Sequence, residues 1–112
     1  MLVEKSKAFA LNSVKTYEKL QARHEYILSK QFLRSATSIG ANIAEGQYAQ
    51  SKADFLSKYS IALKEASETL YWIDLLNEAG YLSEPEQVDN IKLDCDELIK
   101  LLSASVKKLK NI

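Results

Sequence analysis

Apolar residues recur three and four positions apart along almost the whole chain, the spacing that lines one face of an α-helix. Short polar or glycine-containing breaks divide the pattern, predicting helices over about 3–23, 29–45, 51–79 and 84–109. In the first, Val3, Ala10, Val14 and Tyr17 form an apolar line, with Phe9, Ser13, Thr16 and Leu20 beside it. In the second the line is Phe32, Ala36, Ile39 and Ile43, set among the small residues Ser38, Gly40, Ala41 and Ala44. Glycine inside a helix costs about 1 kcal/mol relative to alanine, so Gly40 points to a close backbone approach or a bend. Gly46 fits the C-terminal cap, where a left-handed residue is favoured.

The third helix opens on Ser51-Lys-Ala-Asp54, a near-match to a capping box, and stops at Gly80. Its seam is Phe55, Tyr59, Ala62, Ala66, Thr69, Ile73 and Leu76, and a second runs along Leu56, Leu63 and Leu70. From Leu70 to Leu76 it is apolar almost all round, which predicts burial on every side. The fourth helix opens on Ser83-Glu-Pro-Glu86, a second capping-box pattern with proline in the first turn. Val88, Cys95, Leu102 and Leu109 repeat every seven residues, followed by Ile91, Leu98, Ser105 and Ile112. That period suits left-handed bundle packing.

Four amphipathic helices with short connections predict an all-α protein, an antiparallel up-and-down four-helix bundle forming one domain over 1–112. The third helix carries more apolar circumference than a lone bundle needs. The surplus predicts a second burial surface made by other copies of the chain.

Composition narrows the function. Three glycines and one proline leave too few turns for an all-β chain. Fifteen basic residues balance fifteen acidic ones, so any nucleic-acid surface is local. Residues 1–34 and 100–112 each carry a net +4, whereas 81–99 carry −5. The single Cys95 excludes an internal disulfide, and its place on the apolar seam makes it a core filler. No leader is visible and no apolar run approaches 18 residues, so the expectation is a cytoplasmic protein without a membrane span. The one histidine, His24, falls in a connection. One histidine cannot supply the paired Glu-x-x-His ligands of a di-iron bundle, and no catalytic triad or phosphate loop can be assembled. The expectation is a protein that is not an enzyme and holds no metal or cofactor.

Residues 28–46, Leu-Ser-Lys-Gln-Phe-Leu-Arg-Ser-Ala-Thr-Ser-Ile-Gly-Ala-Asn-Ile-Ala-Glu-Gly, are followed by Ser51-Lys-Ala-Asp-Phe55 and Ile61-Ala-Leu-Lys-Glu-Ala-Ser-Glu-Thr-Leu-Tyr-Trp72. This pattern closely resembles the bacterial four helix bundle protein family. That family includes the proteins encoded in intervening sequences of 23S ribosomal RNA genes, and it is related to the accessory proteins of diversity-generating retroelements. The resemblance implies an up-down bundle that assembles as a homopentamer and has no known enzymatic activity. The retroelement relatives are strongly basic and bind a reverse transcriptase and nucleic acid.

Two sets of candidate residues follow. Lys15, Lys19 and Arg23 lie four apart on one helical face, and Lys30 and Arg34 could extend that face as a nucleic-acid stripe repeated around an oligomer. A solvated face is the competing reading. Asn42 and Glu45, with Glu65 and Glu68 as partners, suit a polar contact that fixes register between helices or subunits. Tyr71, Trp72 and Leu75 read as core or interface anchors rather than a base-stacking platform. The expected partner is a second copy of the chain, with nucleic acid or another protein as the alternative.

Overall fold

A computed structural model describes residues 1–111. Four helices follow one another: α1 (Leu2–Ala22), α2 (Leu28–Gly46), α3 (Lys52–Glu78) and α4 (Pro85–Lys110). Each packs on two neighbours in the closed order α1–α2–α3–α4, and no close backbone approach joins the diagonal pairs α1/α3 and α2/α4. The result is a rod of 46 × 20 × 20 Å.

The predicted line of α2 is the centre of the core: Phe32, Ala36, Ile39 and Ile43 are at most 1% exposed. Each large side chain so enclosed stabilises the fold by roughly 1.5–3 kcal/mol. On α1 the buried line is instead the neighbouring one, Ser6, Phe9, Ser13, Thr16 and Leu20, while Val3 and Val14 are exposed. Small hydroxyl residues win those inward positions because they return their protons to their own helix. Ser13 donates to the Phe9 carbonyl (2.8 Å) and Ser6 to that of Val3 (3.1 Å). A narrow α1 face results, and the Ser6 backbone lies 3.4 Å from where a Cβ of Gly40 would stand. Gly40 therefore faces α1 at a distance that still leaves room for a Cβ at ordinary contact.

On α4 the buried line is Val88, Ile91, Cys95, Leu98, Leu102 and Val106. It follows the predicted heptad to Leu102 and then moves to Val106, leaving Ser105 and Leu109 half-buried. Steps averaging 3.6 residues over 88–106 are those of a straight α-helix, which drifts off a strict seven-residue repeat by about 20° per heptad. Ile112 lies outside the described residues.

The helix ends depart from expectation in three places. At α3, Ser51 Oγ accepts from the Asp54 N–H (3.0 Å), but the Asp54 carboxylate accepts from Gln50 rather than Ser51 (3.1 Å). At α4 the Ser83 box does not form; Glu84 is the N-cap, without a side-chain cap, and its carboxylate faces Lys19 at 3.5 Å. Gly46 is not a left-handed cap but the last helical residue of α2, buried against Tyr59. Left-handed backbone occurs at Gly80 (φ 86°) and His24 (φ 63°). Each terminates its helix with a pair of backward bonds, Tyr81 N–H to Leu76 and Gly80 to Asn77, and Glu25 to Leu20 and His24 to Gln21. This is the Schellman arrangement.

Candidate functional site

The bundle turns three of the five candidate cations, Lys19, Arg23 and Arg34, to two different flanks. Lys19 reaches α4, where Gln87 Oε1 accepts at 2.9 Å, and Arg23 donates to the Gly80 carbonyl at 2.9 Å. Arg34 points the other way, to α3, forking between Glu65 (3.1 Å) and Glu68. Lys15 and Lys30 are exposed and make no ion pair among the described residues. Since α1 meets α4 on one side of the rod and α2 meets α3 on the other, one chain does not join Arg34 to the Lys19–Arg23 stripe. Arg34 acts as a clasp: a guanidinium presents a fixed fork that spans two carboxylates one helical turn apart. A hydrogen bond from Trp72 Nε1 (2.9 Å) holds the Glu68 carboxyl below its ordinary range against the opposing effect of burial, and Arg34 lowers it further.

The expected polar partners separate in the same way. Glu65 and Glu68 belong to Arg34, Glu45 pairs with Lys58 (3.2 Å), and the Asn42 amide donates to the Ser38 carbonyl of its own helix (2.8 Å). Within the chain, a buried polar contact between α2 and α3 is made by Thr69, whose hydroxyl donates to that of Ser35 at 2.9 Å. Sequence reading placed Thr69 on the seam but not opposite Ser35, because the pairing depends on the relative slide of two helices.

The α3 surplus is smaller than its sequence suggests. Leu56, Leu63, Leu70 and Trp72 pack against the chain's own core. What is left outside is a stripe at helical spacing: Ile61 (39% exposed), Tyr71 (60%) and the half-buried Leu75. Tyr71 meets Trp72 edge to face at 5.1 Å. A second stripe lies on α1, with Val3 (40%), Leu11 (59%) and Val14 (39%). Tyr48, in the α2–α3 turn, is also exposed.

Two features escaped the sequence reading. Glu25 folds back over the start of α2, accepting from the N–H groups of Ser29 (2.6 Å) and Ile27 (3.3 Å). Burial pushes its carboxyl up, yet the donors of Ser29, Leu28 and Ile27 together hold it below the ordinary 4.5. The helix N-terminus stabilises the negative charge. An i to i+4 glutamate before a helix is a signal that composition alone does not raise. The second feature is a cleft of about 270 Å³ where the end of α1, the turn after Gly80 and the first turns of α4 meet. Among the described residues no group of three or more metal-ligating side chains comes together, and no helix is long and apolar enough to cross a membrane.

A model of the 23S rRNA-intervening sequence protein family matches residues 1–104. The chain belongs to that family. The chain is also similar to a solved protein of unknown function from the S23 ribosomal protein family of Bacteroides thetaiotaomicron. The two are 47% identical and superpose with a TM-score of 0.92 over 96% of this chain and 99% of that one. No curated protein matches the chain. Neither the family description nor that of the neighbour names an enzymatic reaction.

Proposed function

We propose that the protein is a non-enzymatic scaffold built from several copies of itself. The observation that carries this reading is the presence of two separate exposed apolar stripes, Val3, Leu11 and Val14 on α1 and Ile61, Tyr71 and Leu75 on α3. The helices α1 and α3 stand diagonally across the bundle, with no close backbone approach between them. Two different adhesive faces on opposite sides of one subunit favour head-to-tail association, which closes into a ring when the rotation per step allows it. A two-fold dimer would need only one such face. Five subunits is the number implied by the family resemblance. Tyr71 and Leu75 are then interface anchors, with Trp72 backing Tyr71 from within the subunit, aromatic side chains being enriched in the centres of such contacts. Glu45, paired with Lys58 of α3, lies on the same α2–α3 flank as Arg34, and with Asn42 three residues before it on α2 joins the rim of the contact.

The test uses one charge on each face. Val14→Glu and Tyr71→Glu each break one face and leave the other intact, so each variant alone runs as a monomer. Mixed in equal amounts they form a one-to-one pair, because each retains the face the other has lost. Two variants that stay monomeric when mixed, or single variants that assemble like the unmodified protein, overturn the reading. Adding a duplex or single-stranded RNA to the assembled protein across a salt series reads the alternative role. Binding that weakens with salt and with Lys15→Glu would assign the basic faces to nucleic acid.

A further inference from the structure

We propose that the cleft between the end of α1 and the start of α4 binds a small carboxylic acid with an apolar body. Its floor is apolar and built from all three segments: Leu20 from α1, Leu82 from the turn, Val88 and Ile91 from α4. Leu20 and Ile91 are 1% exposed, so they form a fixed wall of the core. The turn that closes the cleft is held by the left-handed Gly80, and Arg23 clasps it by donating to the Gly80 carbonyl. A hydrophobic cavity of about 150 Å³ accommodates benzene. The 270 Å³ here therefore takes a phenyl ring with a short linker.

Charge at the mouth selects the head group. Lys19 is already engaged, by Gln87 at 2.9 Å and Glu84 at 3.5 Å. Arg23 has no carboxylate partner among the described residues. It gives one N–H to Gly80 and holds its guanidinium carbon 5.8 Å from the centre of the Tyr81 ring. A guanidinium carries five donors in a planar fork. The remaining donors are those a carboxylate takes in a two-point contact. An apolar floor with one un-neutralised, aromatic-backed arginine at its edge thus matches an arylalkanoic acid. The cleft is separate from the two apolar stripes, so this inference stands or falls independently of subunit association.

The test is an amide-shift titration by NMR with 3-phenylpropionate and, in parallel, its neutral amide at millimolar concentrations. The expected result is movement of the Leu20, Leu82, Val88 and Ile91 amides by the acid, with the acid binding about tenfold more tightly than the amide, the scale of a charge-assisted hydrogen bond. Arg23→Gln brings the acid down to the level of the amide, whereas Lys19→Gln leaves most of the preference. Leu82→Trp, which fills the cleft, removes binding of both. No movement at these amides with either compound, or equal affinity for acid and amide, overturns the proposal. The comparison of acid with amide needs no variant, so it decides the question even if Arg23→Gln unfolds.

Discussion

Gly46 offers the sharpest test of how the core is packed. A Cβ added there would stand 2.9 Å from Tyr59 Cε1 and 3.1 Å from Cδ1, closer than carbon atoms pack. The ring cannot easily yield. It is 6% exposed, stacks on Phe55 with centroids 4.3 Å apart, and its hydroxyl accepts from Gln47 Nε2 at 3.0 Å. Forcing extra volume into such a site costs typically 1–3 kcal/mol. Alanine returns less than about 1 kcal/mol of helix propensity, because the position is the last of its helix. Gly46→Ala should therefore destabilise by roughly 1–2 kcal/mol, about 4–8 °C in Tm.

The other two glycines are internal controls with different physics. At Gly40 the nearest atoms to an added Cβ, those of Ser6, lie at 3.4–3.6 Å, which is ordinary contact. Gly40→Ala should then be neutral or stabilising by up to about 1 kcal/mol through propensity. At Gly80 nothing stands within 4 Å, but φ is 86°, so alanine meets backbone strain of roughly 1–2 kcal/mol without any clash. Urea unfolding followed by circular dichroism reads all three. Tyr59→Leu, which removes the ring, should abolish most of the Gly46→Ala penalty and leave that of Gly80→Ala untouched. A Gly46→Ala protein as stable as its parent, or a penalty unchanged by Tyr59→Leu, would refute the packing argument.

Glu25 and Cys95 make two further points of attack. The Glu25 carboxyl titrates lower in the folded chain than its ordinary 4.5, so its contribution is complete above that value and is lost as pH falls through the folded value. Glu25→Gln should cost about 1 kcal/mol near neutral pH and flatten the fall of the urea midpoint on acidification; an unchanged acid limb would contradict the cap. Cys95 is fully buried, its thiol donating to the Ala66 carbonyl at 3.3 Å, and burial pushes its pKa up to about 12. It should resist alkylation in the native protein and react at the rate of global unfolding, so rapid labelling without denaturant would contradict a closed core.

Periodicity located all four helices and the α2 line at the core, because burial of a continuous stripe is what a helix sequence encodes. It chose the wrong neighbouring stripe on α1. Hydrophobicity ranks Val3 and Val14 above Ser6 and Ser13, but a narrow helix contact favours side chains that are small and that bond their own backbone. It read Gly46 as a left-handed helix cap when its constraint is the Tyr59 ring, a contact 13 residues away that no local rule contains. The five cations were legible as residues and not as a surface. The separation of Lys19 from Arg34 follows from the partners each meets, the Gln87 amide oxygen and the Glu84 carboxylate on the α4 side for Lys19 and the Glu65 and Glu68 carboxylates on α3 for Arg34. The cleft beside Arg23 was invisible for the same reason, since its walls come from three segments joined only by folding.

The mass of the unmodified protein in solution tests the scaffold reading most directly. Native mass spectrometry, with light scattering at micromolar concentration beside it, should give a closed assembly several times the 12.6 kDa chain, about 63 kDa for five subunits. A single species at 12.6 kDa across that concentration range would contradict it.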